Sequence, residues 1–301
     1  MKMKAMLGMA GIFICIAALV HFFQTARVSS PLLPVHPTLV IHGFRGTERS
    51  MATMIERFES NGWGSHVKTC VVKETGQIQC RNVRNAKQGS IPLIHVVFQN
   101  NTANLQQQGE WVSKVARKIG EEYETEKINI IGHSMGGLAA LKYLTGYHSP
   151  SYPTVEKLVT VGTPVAGLRM EDLVKQYPMA KKDVHTPAAI DLHIESDALN
   201  DLHQQLRRLN QYDTSIFSIA GNVQEMGKTR GDGSVTVESA LYLRTFSEKV
   251  KTASFSASHF DLHESAGVDC AVYEFIREDK GNFHQCGMDR RLTTRRPVVT
   301  S

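Results

Sequence analysis

The sequence predicts an α/β fold in which a mostly parallel sheet is flanked by helices. Three observations support this fold class. At 127–144 an apolar, β-branched run breaks at Gly132 and resumes at helical spacing. At 105–123 the apolar residues recur on one helical face. Elsewhere strand-like and helix-like segments alternate, which is typical of parallel sheets with helices on both sides.

The composition fits one large domain and argues against nucleic-acid binding. The chain has 301 residues, of which 42% are hydrophobic, and it contains no repeats or low-complexity segments. The formal net charge is +5, but the basic residues are scattered and several lie at the two ends. Nucleic-acid binding would need a basic face with stacking aromatics, so we expect weak attraction to anionic surfaces at most.

The first 30 residues predict export or membrane anchoring. Lys2 and Lys4 precede an apolar run at 5–23 that is interrupted only by glycines and His21. A positive flank followed by about 19 apolar residues is the layout of a secretory signal or of an uncleaved signal anchor. Gln24 fits poorly at three positions before a cleavage site, so both alternatives stay open.

Either alternative places the rest of the chain outside the cytoplasm, because the positive flank stays inside. The domain is expected to occupy 31–288, and 289–301 is expected to be a basic, flexible tail. The membrane is therefore a predicted partner, through the apolar segment at 5–23. The sequence does not indicate an oligomeric state.

Four cysteines form two near pairs, which suits an exported protein. Cys70 and Cys80 bracket two β-like runs around Gly76, so a hairpin at about 66–83 would bring their sulfurs together. Cys270 and Cys286 form the second pair. Disulfides are favoured over free buried thiols for both pairs. No CxxC spacing occurs, and neither a metal nor a cofactor is expected.

The first core strand is predicted at 38–41 and ends in a glycine-rich turn at 42–46, His-Gly-Phe-Arg-Gly. An HG pair at the end of an early strand can shape half of an oxyanion hole. The donor would be the backbone N–H of Phe44. The alternative is an ordinary glycine turn. A helix at 51–58, a strand at 92–98 and the helix at 105–123 follow.

Residues 132–136, Gly-His-Ser-Met-Gly, match the GxSxG pattern of a nucleophile elbow. The glycines let the backbone pack closely around a serine held in a strained conformation, which lifts its hydroxyl clear of the sheet. Ser134 is the candidate nucleophile. The N–H of Met135 would be the second oxyanion donor, at the positive end of the following helix. A bare glycine turn is the alternative, but the strand before and the helix after favour the elbow.

A strand at 155–161 precedes a polar, partly helical stretch that breaks the alternation. We expect 167–213 to form a cap over the mouth of the site, with its apolar residues facing substrate or core. Those residues are Leu168, Met170, Leu173, Leu199, Leu202 and Leu206. Three histidines in the cap, at 185, 193 and 203, lack tight ligand spacing and are interpreted as solvated rather than metal-binding.

Asp232 is the candidate acid, because it lies in a Gly-Asp-Gly-Ser loop after a strand at 215–220. The chain order Ser, Asp, His is the order expected with a GxSxG elbow. A plain Asp-Gly turn is the alternative role. Asp213 and Asp201 are rivals that lie before the strand rather than after it.

The candidate base lies after the last predicted strand, 250–255, where His259 and His263 compete. A similar stretch occurs in small bacterial lipases, with the catalytic histidine three before a leucine and nine before a helix valine. Leu262 and Val268 fit those offsets from His259. His259 is therefore preferred as the base, and His263 is expected to support the loop or cap the helix.

The segments PLIHVVFQNN, KINIIGHSMGG, EKLVTVGTPVAG, GDGSV and SHFDLHES together resemble a bacterial α/β-hydrolase family described as membrane-bound cell-surface hydrolases of unknown function. The resemblance covers about 37–278. It implies an α/β-hydrolase fold with a small β-hairpin insertion, to which the sequence pattern adds the helical cap. It also implies a triad on Ser134, Asp232 and His259. The chain departs from the family in its hairpin cysteines and at 260–261 and 265–266, which are local differences outside the triad.

These observations predict an extracytoplasmic serine hydrolase that cleaves a carboxylic ester without a cofactor. The apolar cap favours an acyl or aromatic ester, including a lipid-like one, over a highly charged substrate. Acyl transfer and amide cleavage would use the same residues and stay open as alternatives. A third alternative is a cell-envelope binding module that keeps the hydrolase shell without turnover.

Overall fold

A computed structural model describes residues 35–277, apart from 148, 150, 227 and 228. The predicted apolar segment at 5–23, Cys286 and the predicted tail at 289–301 lie outside these residues. Within the part that is described, no helix is both long enough and apolar enough to cross a bilayer. The signal or anchor prediction therefore stays a prediction from the sequence.

The strands of the described part form one large sheet and one small hairpin. In chain order they are β1 (Thr38–Ile41), β2 (Gly64–Val72), β3 (Ile78–Asn82), β4 (Ile91–Phe98), β5 (Lys127–His133), β6 (Thr154–Val161), β7 (Ser215–Gly221), β8 (Gln224–Met226), β9 (Thr229–Gly231) and β10 (Lys251–Phe255). The large sheet has eight strands in the order β10-β7-β6-β5-β1-β4-β2-β3. Its neighbours pair in parallel, except β2 with β3.

The helices alternate with the strands and flank the sheet, as the periodicity predicts. They are α1 (Ala52–Ser60), α2 (Leu105–Glu122), α3 (Met135–Gly146), α4 (Met170–Gln176), α5 (Pro187–Leu192), α6 (Asp197–Leu206), α7 (Val237–Ala240) and α8 (Ala266–Arg277). Helix α2 packs against α3, and α1 packs against α8. The predicted fold class, a mostly parallel α/β sheet flanked by helices, is confirmed.

The centre of the sheet is buried because β1, β4 and β5 are covered by helices and consist largely of branched apolar residues. Every residue of β1 is buried, and so is every residue of β5 after Lys127. Strands buried on both faces read as continuous apolar runs rather than alternating ones. This explains why 128–131 is so apolar just before the elbow.

The predicted cysteine hairpin is part of the large sheet. Strand β2 pairs in parallel with β4 along its whole length and in antiparallel with β3 at the sheet edge. Cys70 and Cys80 are directly opposite each other in the β2–β3 register and form a disulfide. The disulfide thus closes the outermost strand onto the sheet.

The connection from β6 to β7 forms the helical cap. It contains α4, a 3-10 segment at Pro178–Asp183, α5 and α6. Leu199, Leu202 and Leu206 of α6 are buried in the core. Leu168 and Leu173, at the start of the cap, line a cavity, and Leu168 is also buried at the margin of the core. The cap residues therefore divide between the two environments that the sequence left open.

Candidate active site

The candidate residues meet at one edge of the sheet. Ser134 lies between β5 and α3, Asp232 follows β9, and His259 lies in the segment between β10 and α8. In open parallel sheets, ligands bind beyond the carboxyl ends of the strands. The three side chains therefore come together where this topology favours a site, although 98 residues separate Ser134 from Asp232 in sequence.

The elbow backbone is strained at the serine. Ser134 has φ 52° and ψ −124°, a region that non-glycine residues rarely occupy. A Cβ on Gly136 would lie 2.4 Å from the carbonyl oxygen of His42, and one on Gly132 would lie 2.6 Å from the Cα of Gly137. Both glycines are required because the turn packs directly against neighbouring backbone.

A chain of hydrogen bonds connects the three side chains. The Nε2 of His259 lies 3.0 Å from the Oγ of Ser134, and its Nδ1 lies 2.8 Å from the Oδ2 of Asp232. A carboxylate only accepts, so Nδ1 carries the proton and the Nε2 lone pair faces the serine hydroxyl. This tautomer is the one that can take a proton from Ser134.

Asp232 is fixed by backbone donors and is almost completely buried, with 1% of its surface exposed. Its Oδ1 accepts from the N–H groups of Ser234 and Val235 at 2.9 and 2.7 Å. Its own carbonyl accepts from the N–H of His259 at 2.8 Å. The carboxylate therefore has one oxygen held by the loop and the other directed at the imidazole.

The rival residues lie elsewhere. The Nδ1 of His263 lies 2.9 Å from the Oε1 of Glu264, and its ring packs against the ring of His133 rather than against the serine. Asp201 and Asp213 are exposed, on α6 and before β7. The structure thus brings Ser134, Asp232 and His259 together and leaves out all three rivals, although His263 lines the same cavity.

His133 was not singled out by the sequence, yet it contacts the candidate base. Its Nε2 lies 3.0 Å from the carbonyl oxygen of His259, so this nitrogen must donate. The ring packs between His259 and His263, with centroid distances of 4.8 and 4.6 Å. Burial holds the pKa of His133 well below 6.5, and the two neighbouring histidines lower it further. A neutral donor therefore supports the loop that carries His259.

The turn after β1, residues 42–46, is held beside the elbow by its own hydrogen bonds. The N–H of Phe98 donates to the Nε2 of His42 at 3.0 Å, which leaves the Nδ1–H of His42 to donate to the carbonyl of Gly43 at 2.8 Å. The N–H of Arg45 donates to the carbonyl of Asn101 at 2.9 Å. Neighbouring strand ends thus fix the turn that carries Phe44.

The two predicted oxyanion donors belong to residues at the start of α3 and in the turn after β1. Met135 is the first residue of α3, where backbone N–H groups lack an acceptor within the helix. Phe44 lines the same cavity as Ser134. The Arg45 side chain forms an ion pair with Asp183, so the turn is also joined to the cap.

The cavity above Ser134 has a volume of about 380 Å³, within the range of small-molecule sites. Its floor contains Ser134 and His259, and its wall from the turn and cap is largely apolar. The apolar wall residues are Phe44, Leu168, Leu173, Tyr177, Met179 and Leu192. An acyl chain or another apolar group could therefore lie next to the serine.

Among residues 35–277, with the four gaps given above, no group of three histidine, cysteine or carboxylate side chains could hold a metal ion. In the cap, ring nitrogens of His193 and His203 bond the carbonyls of Ile194 and Val165. These two rings are half-buried and therefore less solvated than the sequence was interpreted to indicate, whereas His185 is exposed.

The sequence profile of a family described as alpha/beta hydrolase of unknown function, DUF915, matches residues 27–279. No curated protein matches the sequence significantly. The product of the gene lin2722 from Listeria innocua has a similar structure, with TM-score 0.65 and 22% identity over 82% of this chain and 96% of that one.

Two further structures are similar. A protein from Lactobacillus plantarum described as a cell surface hydrolase has TM-score 0.55 and 17% identity, over 80% of this chain and 91% of that one. The lipase BlEst2 from Bacillus licheniformis, in its propeptide form, has TM-score 0.55 and 17% identity, over 83% of this chain and 52% of that one. At these identities the likeness concerns the fold.

Proposed function

Because the chain belongs to the family of alpha/beta hydrolases of unknown function, we propose that it is a serine hydrolase that cleaves carboxylic esters. The observation that carries the proposal is the line of two hydrogen bonds from Ser134 through His259 to Asp232, at 3.0 and 2.8 Å. A structural neighbour that is described as a lipase, BlEst2, supports it.

Ser134 is proposed as the nucleophile. As its Oγ attacks the ester carbonyl, the Nε2 of His259 takes the hydroxyl proton and then gives it to the leaving alcohol. A water molecule repeats the sequence on the acyl-enzyme and releases the acid. The strained backbone keeps Oγ exposed to the cavity at the positive end of α3, where negative charge on the substrate is favoured.

Asp232 is proposed to hold the imidazole and stabilise its charged form. The carboxylate stays in place because Ser234 and Val235 hold its other oxygen. The N–H groups of Met135 and Phe44 are proposed to bind the oxyanion of the tetrahedral intermediate. Loss of one such donor typically costs about 2.7–4 kcal/mol of transition-state stabilisation.

An apolar wall favours an acyl or aromatic ester over a highly charged one. Apolar side chains of the turn and cap line the cavity that contains Ser134, so they can exclude water from the carbonyl under attack. Acyl transfer and amide cleavage would use the same acyl-enzyme chemistry. Acyl transfer differs in the acceptor, an alcohol instead of water, and gives a new ester. Amide cleavage differs in the leaving group, which is an amine instead of an alcohol.

The proposed location is extracytoplasmic, either anchored by a single N-terminal pass or secreted after cleavage. The apolar segment at 5–23, the Cys70–Cys80 disulfide and a structural neighbour described as a cell surface hydrolase support this. An intact N-terminus in washed membranes, with the domain accessible to external protease, would establish the anchor. A soluble extracellular form that starts near Arg27 would establish cleavage.

The test of the enzymatic proposal is labelling of the full chain with a fluorophosphonate probe, which reacts with activated serines. We expect labelling of the wild type and none of Ser134→Ala. Ser50 also lines the cavity, so Ser50→Ala is the matched control and should still be labelled. Folded wild-type protein that is not labelled would contradict the proposal and favour a non-catalytic binding module.

The product is identified by adding p-nitrophenyl esters of increasing acyl length. Release of p-nitrophenol together with the free acid supports hydrolysis. If the probe labels the protein and no ester is turned over, but the matching anilides are, then the proposed substrate class must change from an ester to an amide. Ser134→Ala should abolish either reaction, because both need the same nucleophile.

A further inference from the structure

The mouth of the catalytic cavity carries exposed apolar side chains. Four large apolar residues of the described part are exposed, Met179, Ile190, Val223 and Phe260, and of these Met179 and Phe260 line the cavity. Met179 is 76% exposed and Phe260 is 55% exposed. A residue that lines a cavity and is also this exposed lies at its opening. We call Met179 and Phe260 the rim.

The rim is continuous with the apolar wall of the cavity. The ring of Phe260 contacts the ring of Tyr177 edge to face, with centroids 5.5 Å apart, and this contact joins the segment after β10 to the cap. Tyr177 and Leu173 continue the apolar surface inward. An apolar chain could thus pass from the rim to Ser134 without leaving apolar surroundings.

Basic side chains accompany the rim. Met179 belongs to the 3-10 segment Pro178–Asp183, which also contains Lys181 and Lys182. Both lysines are exposed, and Lys182 lines the cavity beside Met179. Exposed apolar residues next to lysines can bind the surface of an anionic bilayer, since the apolar groups enter the interface and each lysine near the surface is attracted to the anionic headgroups.

From these contacts we infer that the rim docks on an anionic lipid surface and that the substrate is an ester of a lipid drawn from that surface. This rests on the proposed function for the ester chemistry, whereas the docking itself does not. The cavity mouth then faces the bilayer. An acyl chain would leave the bilayer along the rim and lie against Tyr177 and Leu173, with its ester at Ser134.

The first test measures docking on the lipid surface and does not depend on hydrolysis. Phe260→Trp is mixed, as the full chain, with phosphatidylglycerol vesicles whose acyl chains carry bromine, which quenches nearby indole fluorescence. The native tryptophans form a low background, because Trp111 is buried and Trp63 stacks on Tyr273. We expect quenching well beyond that of the wild type.

Ile190→Trp is the matched control, because Ile190 is 57% exposed on the cap but does not line the cavity. It should show only the wild-type level of quenching. Equal quenching of the two variants, or none of either, would overturn the docking surface. Self-association of the chain that is lost in Phe260→Ser, without any quenching, would assign the rim to a second copy and would also overturn it.

The second test asks whether the substrate is a lipid in the bilayer. Rates are measured with a soluble short-chain p-nitrophenyl ester and with a long-chain ester held in the same vesicles. Removing the apolar rim with Met179→Ser and Phe260→Ser should lower the ratio of vesicle rate to soluble rate about tenfold or more, since each side chain contributes on the scale of a buried apolar residue. An unchanged ratio would overturn the lipid substrate.

Lys181→Gln should reduce the preference for phosphatidylglycerol over phosphatidylcholine vesicles, and the effect should shrink at high salt. If Lys181→Gln changes neither the lipid preference nor its dependence on salt, the electrostatic part of the inference is wrong. The failures stay distinguishable. Quenching of Phe260→Trp with no activity on any ester would retain the surface and reject the proposed chemistry. Activity on soluble esters with no quenching of Phe260→Trp would retain the proposed chemistry and reject the docking surface.

Discussion

The Cα of Gly43 packs directly against the nucleophile, because a Cβ built on it would lie 2.7 Å from the Cβ of Ser134. Real Cβ atoms do not approach this closely, so any other residue must push the turn at 42–46 away from the elbow. That turn carries Phe44, whose N–H is a proposed oxyanion donor. The contact therefore ties the position of one donor to the position of the attacking oxygen.

Gly43→Ala should lower kcat about a hundredfold, which is the effect of losing one oxyanion donor. Its effect on KM should be small, since the apolar wall is unchanged. Rates with a soluble p-nitrophenyl ester would measure this. Gly146→Ala is the control, because a Cβ there meets no atom within 4 Å. Equal kcat in both variants would separate the turn from catalysis.

Asp232→Asn should lower kcat by about 10³–10⁴-fold with little loss of stability. The asparagine can keep its oxygen towards the N–H groups of Ser234 and Val235, so its NH₂ faces the Nδ1 of His259. The imidazole must then accept at Nδ1 and carry its proton on Nε2, where it cannot take one from Ser134.

Steady-state rates and thermal unfolding of the same preparation would check this prediction. Asp261→Asn is a matched control in the segment after β10, because Asp261 is exposed and its carboxylate bonds the hydroxyl of Ser258. It should keep most of the wild-type kcat. Similar losses in the two variants would mean that Asp232 acts only by holding the loops together.

His133→Leu should lower kcat about fivefold, because the carbonyl of His259 loses its donor and a typical hydrogen bond contributes about 1 kcal/mol. His133→Gln can donate to the same carbonyl and should recover part of the loss. KM should change less than kcat, since His133 positions the base rather than the acyl chain. Equal kcat in the Leu and Gln variants would contradict a positioning role.

The sequence predicts those parts of the molecule that depend on local pattern. The alternating strands and helices, the GxSxG elbow and the family resemblance each appear within short segments, and the fold class and the family are confirmed. The role of His133 could not be predicted, because its contact with His259 joins residues far apart in sequence. The sequence around His133 is equally compatible with a histidine that is buried without contacting the base.

Short or irregular elements were also missed. The hairpin of β8 and β9 has three residues in each strand, too few for a period to be visible, yet it leads the chain to Asp232. The cap was predicted as a unit, but which leucines line the cavity depends on packing that propensity does not report. The signal or anchor at 5–23 stays a prediction, since it lies outside the described residues.

His95 should make the protein sensitive to acid. It lies in β4, is 1% exposed, and its Nε2 has no hydrogen-bond partner among the described residues. Burial lowers its pKa to about 3, with smaller contributions from His66, His42 and Arg81. The unfolded chain therefore takes up a proton below its ordinary pKa of about 6.5, whereas the folded protein does not until much lower pH.

The free energy of unfolding therefore does not depend on His95 well above pH 6.5. It falls as the pH drops from 6.5 towards 3, by about 2 kcal/mol between pH 7 and pH 5. His95→Leu removes the titrating group and should lose about 2 kcal/mol less than the wild type over that interval. Urea denaturation at the two pH values would measure the difference.

His185→Gln, a change at an exposed cap histidine, is the control and should follow the wild type. If His95→Leu also follows the wild type, another buried group causes the loss, and His133 and His42, whose pKa values burial also lowers, would be the next to replace.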